Sequence, residues 1–407
     1  MKHITRYEKS IYMLVAIIPF INQLHNLGLN IEKLIYIPFI GIILFFLTMK
    51  KNKNDLIVNL EIKFSNGAGF IFICMILSYI LSPIIGLTLF KYDPISNIMY
   101  ISLFIIFILA LIILHTTINT EQRYYYTLKS LLCGNSIVLI FNLLKNITEI
   151  SDINFSTILT SDREVRAIYG FSHPNTVSMF LLVEMLLIYL IFKKYKREKY
   201  RIVSSISIFT LLIFLISTGS RTAILVVCLF ILLSILDKLK EKLAIKLKIC
   251  LNIVIMVVIM LFLLYKFDLN VFLANSSGRD TAIIQNISSV IKYGTILYGI
   301  APVNISILNE PCNLGFTDNW FIVQLIQFGL IGIIFMIFCI GKMFKIYNKN
   351  KNYTCMNLLI SILFYGFAER VVFVPGVLLS VIIWIILIVN LNIDGKNFER
   401  SDFIRWE

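Results

Sequence analysis

The fold class is decided by residues 96–116, which read SNIMYISLFIIFILALIILHT and contain no Asp, Glu, Lys or Arg. A helix of about 20 apolar residues crosses the hydrocarbon core of a bilayer. This segment therefore predicts a transmembrane helix.

Similar apolar segments occupy much of the remaining chain. Of the 407 residues, 58% are hydrophobic and 15% are charged, whereas soluble domains are about 45–50% apolar and about 25% charged. We expect an all-α integral membrane protein, one polytopic domain over 1–407, with about 12 transmembrane helices. The connections are too short to form a soluble catalytic domain. The other eleven candidate helices lie at 10–26, 34–49, 67–89, 130–146, 174–192, 202–218, 222–236, 249–266, 319–344, 353–368 and 371–393.

The Lys and Arg residues are distributed unevenly between alternate connections. Both termini and the connections on their side hold 27 of the 37 basic residues, and the other side holds 10. Because basic residues stay on the cytoplasmic side of a membrane, both termini are predicted to be cytoplasmic. Topology thus explains the formal charge of +14, and nucleic acid is not expected as a partner.

Two long connections are predicted on the extracytoplasmic side, at 146–173 and at 267–318, the second between spans nine and ten. Within the second, Ser277-Gly-Arg-Asp280 has the form of a capping box and begins a predicted amphipathic helix on the membrane surface. Any chemistry is therefore expected outside the cytoplasm. The seven cysteines have no metal-ligand spacing, so neither a metal nor another cofactor is expected.

Two arginines and a histidine stand near the end of the first long connection. Arg163 and Arg166 can face one way on a helical turn and hold phosphate oxygens; alternatively, each pairs with a neighbouring carboxylate and orders the loop. His173 can accept a proton from a sugar hydroxyl. The alternative is that His173 or Asn175 caps the helix that Pro174 begins.

A short polar turn, Ser217-Thr-Gly-Ser-Arg-Thr222, joins two predicted spans. An arginine at the membrane normally has an anionic partner or a polar cavity. Arg221 and the neighbouring Ser220 are therefore candidate ligands of an anion. The alternative is that Arg221 reaches the phosphates of ordinary lipids.

The second long connection carries further candidates. Arg279 and Asp280 begin the predicted surface helix, whose first amide groups attract phosphate, although Arg279 can equally contact lipid headgroups and Asp280 can simply cap the helix. Residues 298–302 (YGIAP) indicate a turn in which the backbone approaches another element closely. Asp318 is a candidate general base or an N-cap, and Asn319 follows it.

Four more polar residues lie at or inside the membrane. Glu369 and Arg370 share a short predicted external turn, either as an ion pair or as part of a site. Glu184 and Asn142 lie within predicted spans, where polar side chains mark functional pathways or hydrogen-bond neighbouring helices. Together, the external arginines and the apolar spans suit an amphiphilic anionic substrate.

Several motifs, in this order, resemble the O-antigen polymerase and O-antigen ligase superfamily (Wzy-type). They are Gly170-Phe-Ser-His-Pro-Asn175, Gly219-Ser-Arg-Thr222, Ser277-Gly-Arg279 with Tyr298-Gly299, Asp318-Asn-Trp-Phe321 and Gly329-Leu-Ile-Gly332. The resemblance covers nearly the whole chain. It implies a bacterial membrane glycosyltransferase of type C-like fold that uses lipid-diphosphate-linked oligosaccharides without a metal. It also implies that Arg221 and Arg279 bind the diphosphate.

Ligases of this superfamily commonly have a histidine near the end of the large loop, where this chain has Asp318. This difference favours a polymerase that joins repeat units into a capsular or O-antigen-type polysaccharide at the cytoplasmic membrane. The general base stays open between His173, Asp318 and none. The implied partners are undecaprenyl-diphosphate-linked oligosaccharide and membrane lipid, with a flippase and a chain-length regulator of the same pathway as candidates. The candidates for substrate binding are Arg163, Arg166, Asn175, Ser220, Asp280, Asn319 and Arg370.

Two other functions stay open at this point. A ligase would attach finished chains to another acceptor. A flippase for the same lipid should have polar residues along a path through both leaflets, and the predicted spans have few.

Overall fold

The computed structural model describes residues 6–26, 36–51, 67–81, 83–85, 94–146, 166–171, 173–193, 198–239, 287–288, 291, 296–299 and 319–392. Within these ranges the regular secondary structure is helical and no β-strand is present. The predicted all-α class is confirmed at this level.

The helices follow the predicted apolar segments. In the first half of the chain they are α1 (Arg6–Asn26), α2 (Ile37–Lys51), α3 (Ala68–Ile76), α4 (Pro94–Thr117), α5 (Glu121–Lys145) and α6 (Pro174–Phe192). In the second half they are α7 (Glu198–Ser217), α8 (Arg221–Leu239), α9 (Trp320–Lys349), α10 (Tyr353–Tyr365) and α11 (Leu378–Val389). The predicted segment 249–266 lies outside the described residues.

Five helical stretches are long and apolar enough to cross a membrane: Ala68–Ile85, Ile98–Thr117, Glu121–Lys145, Pro174–Phe192 and Trp320–Lys349. This agrees with a multi-pass membrane protein. The number of spans and their orientation stay predictions.

The largest differences between predicted and observed helix starts are at α5 and α11. Helix α5 begins at Glu121, well before the predicted 130, because the side chain of Thr120 accepts a hydrogen bond from a backbone amide and caps the helix. The last helix was predicted at 371–393, and its start is wrong, since α11 begins at Leu378. Pro375 lies in the non-helical segment before it, as expected for a residue that cannot donate a helical hydrogen bond.

An aromatic cluster fixes α9 against the earlier helices. Tyr79, in the π-helical turn Leu77–Leu81 that continues α3, stacks on Phe104 with ring centroids 4.5 Å apart. The Tyr79 ring also meets Phe328 of α9 edge-on at 4.7 Å. These contacts hold the first third of α9 in the centre of the bundle.

The helix ends gather at two opposite ends of the bundle. At one end, called the loop end, lie 166–173, 217–221, 319–320 and 365–370. Backbone hydrogen bonds join these connections, from Ala167 N to Ser217 O (3.2 Å) and from Trp320 N to Gly366 O (2.8 Å).

The opposite end, called the basic end, contains the C-terminal ends of α6 and α9. Lys193 donates a hydrogen bond to Thr354 there, and Lys345, Lys349 and Lys351 follow one another along the end of α9. Which of the two ends faces the cytoplasm stays a prediction.

Candidate functional site

Arg166 lies directly against the turn between α7 and α8. A Cβ atom added to Gly219 would lie 3.2 Å from both Cγ and Nε of Arg166. The φ angle of Gly219 is +63°, a conformation that glycine adopts without steric cost. Any larger residue would be strained at this φ angle and would require the arginine side chain to shift by a few tenths of an ångström.

The same turn leads into Arg221, the first residue of α8. Thr218 stabilises the turn, because its hydroxyl donates to Leu215 O (2.7 Å) and accepts from Ser220 N (3.3 Å). The N-terminal end of a helix attracts anions through its unpaired amide groups. The structure thus brings together Arg166, Ser220 and Arg221, which were predicted from separate connections.

His173 is the N-cap of α6, and its Nδ1 accepts a hydrogen bond from Asn175 N at 3.1 Å. The capping alternative is confirmed for this residue, and the catalytic role stays a prediction. The Asn175 side chain reaches across to the turn after α10, where its Nδ2 donates to Oε1 of Glu369 at 2.9 Å. Glu369 therefore belongs to the same end of the bundle as Asn175.

Tyr365 lies near both the turn that contains Ser220 and the turn that contains Glu369. Its hydroxyl is buried, lies close to the side chains of Ser178 and Ser220, and is within electrostatic range of Glu369. The backbone amide of Glu369 bonds to the Tyr365 carbonyl at 2.9 Å. Sequence reasoning missed Tyr365, because nothing local distinguishes it among the 19 tyrosines. We call this group the loop-end site, comprising Arg166, Asn175, Ser220, Arg221, Tyr365 and Glu369.

Asn319 and Arg370 border the loop-end site. The side chain of Asn319 accepts hydrogen bonds from Phe321 N (3.0 Å) and Ile322 N (3.2 Å), so it caps α9. Arg370 follows Glu369 in the turn after α10 and is partly buried. Their predicted roles in substrate binding stay predictions.

Four predicted site residues lie outside the described residues: Arg163, Arg279, Asp280 and Asp318. The same holds for the start of the predicted surface helix, of which only 287–288 and 291 are described, each as helical. Their roles stay predictions.

The long connection between α8 and α9 contacts α9 deep in the bundle. Segment 296–299 runs beside Gly329, where the helix is interrupted by non-helical angles of φ 65° and ψ −170°. The amide of Leu330 bonds to Ile296 O (2.9 Å) and that of Ile331 to Leu297 O (3.1 Å). Two amide groups that the interruption frees from the helix are thereby satisfied.

Gly299 completes this junction. Its φ angle is +75°, and a Cβ atom there would lie 2.5 Å from the backbone carbonyl of Gln327. The predicted close approach at 298–302 is confirmed at this residue. The interruption at Gly329 lies about 13 Å along α9 from the loop end, a depth at which irregular backbone must be buried in protein.

A small polar group supports the interrupted helix from the other side. Ser78, in the π-helical turn, donates to Gly332 O at 2.7 Å and accepts from Nε2 of Gln324 at 3.2 Å. Ser78, Gln324 and Gly332 are all buried. Segment 296–299 of the long connection is therefore held against a part of α9 that Ser78 also stabilises.

The two polar residues predicted inside spans both make hydrogen bonds within the bundle. Glu184 of α6 accepts from Asn135 Nδ2 (2.8 Å) and from the hydroxyl of Ser136, both on α5. The Asn142 side chain donates to Val138 O of its own helix at 2.8 Å. Glu184 thus links two helices, and a pathway role for either residue stays a prediction.

A small apolar pocket of about 40 Å³ lies between α6, α7, α8, α10 and α11. The residues that line it lie one to three helical turns from Arg221 along α8 and from Tyr365 along α10. No polar group contributes to its surface. The residues that line it include Met185, Ile208, Val227, Phe230, Leu358 and Ile362.

Within the described ranges, no group of three or more His, Cys, Asp or Glu side chains could hold a metal ion. The side chains of the loop-end site carry guanidinium, hydroxyl, amide and carboxylate groups. Such groups recognise anions and sugar hydroxyls.

Comparison with family models and with curated proteins finds no match to this chain.

Proposed function

We propose that this protein is a polymerase that joins polyprenyl-diphosphate-linked oligosaccharide repeat units into a surface polysaccharide, on the extracytoplasmic side of a bacterial cytoplasmic membrane. The observation that carries the proposal is the pair Arg166 and Arg221 on one glycine turn, above an apolar pocket. Two cations above a hydrocarbon-lined pocket suit an anionic headgroup on a lipid chain.

The reaction is a transfer between two lipid-linked saccharides. A hydroxyl at the end of one unit attacks the anomeric carbon of the growing chain, and the polyprenyl diphosphate leaves. Arg221 and Arg279 stabilise the negative charge that develops on the leaving diphosphate. Charge stabilisation of this kind contributes on the order of several kcal/mol when the cations are held in place beforehand.

The second saccharide binds beside the first. Arg163 and Arg166 orient its headgroup, and Asn175 and Ser220 offer an amide and a hydroxyl to sugar oxygens. The contact of Arg166 with Gly219 supports this arrangement, because it keeps the guanidinium close to the turn without the entropy cost of ordering it on binding.

The lipid chain lies along the apolar helices that surround the pocket. The pocket itself measures only about 40 Å³, so nearly all of the polyprenyl chain extends into the bilayer. The pocket and Arg221 share α8, since Arg221 begins the helix and Val227 lines the pocket. One helix therefore carries both a cation for the headgroup and an apolar surface for the lipid chain.

The test uses cells in which the chain carries Arg221→Ala or Arg221→Lys, with Arg123→Ala as the control. Arg123 lies at the basic end, where it bonds to Thr117 O and Asn119. Lipid-linked saccharides are extracted and sized, and a membrane-impermeant oxidant on protoplasts reports which leaflet holds them. Immunoblots establish equal amounts of protein.

The polymerase proposal expects Arg221→Ala to abolish polymer and to leave single repeat units on the outer leaflet, while Arg123→Ala preserves polymer. Arg221→Lys should retain little activity, because lysine lacks the bidentate geometry of arginine. Units trapped on the inner leaflet would indicate a flippase, and normal lipid-linked polymer that is not transferred would indicate a ligase. Normal surface polymer in Arg221→Ala cells would contradict the proposal.

A further inference from the structure

We propose that Glu369 is the general base of the glycosyl transfer and that Asn175 positions its carboxylate. The assignment rests on the proposed function and adds a catalytic residue to it. It differs from both bases that the sequence suggested, His173 and Asp318.

Glu369 is the only carboxylate at the loop end among the residues that the structure describes. Glu184, on α6, lies about 15 Å further down the bundle and is engaged by two donors of α5. The imidazole of His173 is exposed, and its Nδ1 is occupied by the amide of Asn175. A base near Arg221 and Ser220 is therefore best supplied by Glu369.

The carboxylate is held from two helices. Asn175, at the start of α6, donates to Oε1 at 2.9 Å, across 194 residues of sequence. The backbone of Glu369 is fixed in the turn after α10, because its amide bonds to Tyr365 O and its carbonyl accepts from Val371 N, both at 2.9 Å. An orientation set by two rigid elements is what a general base needs.

Glu369 is not fully buried. Glu369 and Asn175 are both partly exposed, whereas Tyr365 is fully buried. In this proposal a sugar hydroxyl reaches Glu369 from the exposed side of the residue. The arginines of the same site lie at the turn that contains Ser220, on the side where the diphosphate is proposed to bind.

The proton transfer balances the reaction. The acceptor hydroxyl gives its proton to the Glu369 carboxylate while its oxygen forms a bond to the anomeric carbon of the donor. The bond between that carbon and the diphosphate oxygen breaks, and its electron pair leaves with the polyprenyl diphosphate. The proton then passes from Glu369 to water, which restores the carboxylate.

The experiment measures release of polyprenyl diphosphate by purified full-length protein in proteoliposomes. The substrate is the pool of lipid-linked saccharides extracted from cells that lack this chain. The variants are Glu369→Gln, Glu369→Ala and Asn175→Ala. The control is Asp237→Asn, which changes a carboxylate that accepts a hydrogen bond from Asn357 at the basic end.

General base catalysis contributes about 10²–10⁴-fold, so Glu369→Gln should lower kcat by at least 100-fold with little change in KM. Formate should restore part of the activity of Glu369→Ala, because a small carboxylate can occupy the space of the missing side chain. Asn175→Ala should lower kcat about 10-fold without rescue by formate. Asp237→Asn should match the wild type.

The outcomes separate the two proposals. Near-normal kcat in Glu369→Gln, or failure of formate to rescue Glu369→Ala, would overturn the role of Glu369 and leave the polymerase proposal intact. Wild-type protein that releases no diphosphate from the pool would overturn the polymerase proposal and the base with it. A folding defect is detected by thermal unfolding of each variant, and formate rescue requires a folded protein.

Discussion

Replacing Gly329 by alanine should destabilise the protein strongly, although the substitution adds a single methyl group. The residue has φ 65° and ψ −170°, a region that residues other than glycine occupy at a cost of about 1–3 kcal/mol. The new Cβ would lie 2.5 Å from Gly299 N and from Leu297 C. Both are backbone atoms, so the segment 296–299 has to move.

Moving that segment breaks the hydrogen bonds from Leu330 N to Ile296 O and from Ile331 N to Leu297 O. Each contributes about 0.5–1.5 kcal/mol. Together with the backbone strain, the loss of unfolding free energy is about 2–6 kcal/mol. Because the large loop is anchored there, polymer formation in cells should fall as well.

The matched control is Gly341→Ala, three turns further along the same helix. A Cβ at Gly341 meets no atom within 4 Å, and alanine in a helix interior is favoured over glycine by about 0.5–1 kcal/mol. The assay is thermal unfolding of both purified variants in one detergent at one scan rate. The midpoint should fall for Gly329→Ala and stay unchanged or rise for Gly341→Ala. Equal midpoints for the two variants would refute the junction between Gly329 and segment 296–299.

Three further substitutions test the packing of the bundle by the same unfolding assay. Gly134→Ala should cost about 1–3 kcal/mol, because the new Cβ overlaps the carbonyl of Ala16 on α1; an unchanged midpoint would contradict this helix contact. Tyr347→Phe should cost about 0.5–1.5 kcal/mol through loss of the hydrogen bond to a main-chain carbonyl of α11, and an equally stable variant would argue against that bond. Glu184→Leu should cost about 1–3 kcal/mol, since the buried Asn135 and the partly buried Ser136 of α5 lose the carboxylate that accepts their hydrogen bonds. A gain in stability would assign Glu184 to function and not to helix packing.

The sequence predicted the helical elements well because apolarity is a property of single segments. Residues 96–116 needed no partner to be recognised, and α4 (Pro94–Thr117) contains them completely. The predicted start of a helix was less accurate where polar residues begin the helix, as at Glu121 of α5. There a side-chain cap at Thr120 extends the helix beyond its apolar part.

The candidate site was predicted in part for the same reason. Arg221 and Ser220 stand out locally, as an arginine and a hydroxyl in a tight turn between apolar runs. The approach of Arg166 to Gly219 in the same turn is a long-range feature that a local pattern does not reveal.

Long-range pairs were beyond the reach of a single sequence. The bond from Asn175 to Glu369 joins two helix ends that are 194 residues apart. The sequence indicated Arg370 as the partner of Glu369, with a site role for both residues as the alternative. The interruption of α9 at Gly329 depends on segment 296–299, which supplies the acceptors for the freed amides. A glycine within an apolar run does not by itself indicate such a partner.

The central claim is that the arginines at the Gly219 turn hold the diphosphates of polyprenyl lipids, Arg221 that of the leaving lipid and Arg166 that of the second lipid-linked saccharide. The most direct test is the affinity of the purified protein for undecaprenyl diphosphate, undecaprenyl monophosphate and undecaprenol, measured by native mass spectrometry. We predict that the diphosphate binds most tightly and that Arg166→Ala with Arg221→Ala weakens its binding at least 10-fold, which corresponds to about 1.4 kcal/mol, while Arg123→Ala has no effect. Equal binding of the diphosphate and the alcohol, or unchanged affinity in the double variant, would contradict the account.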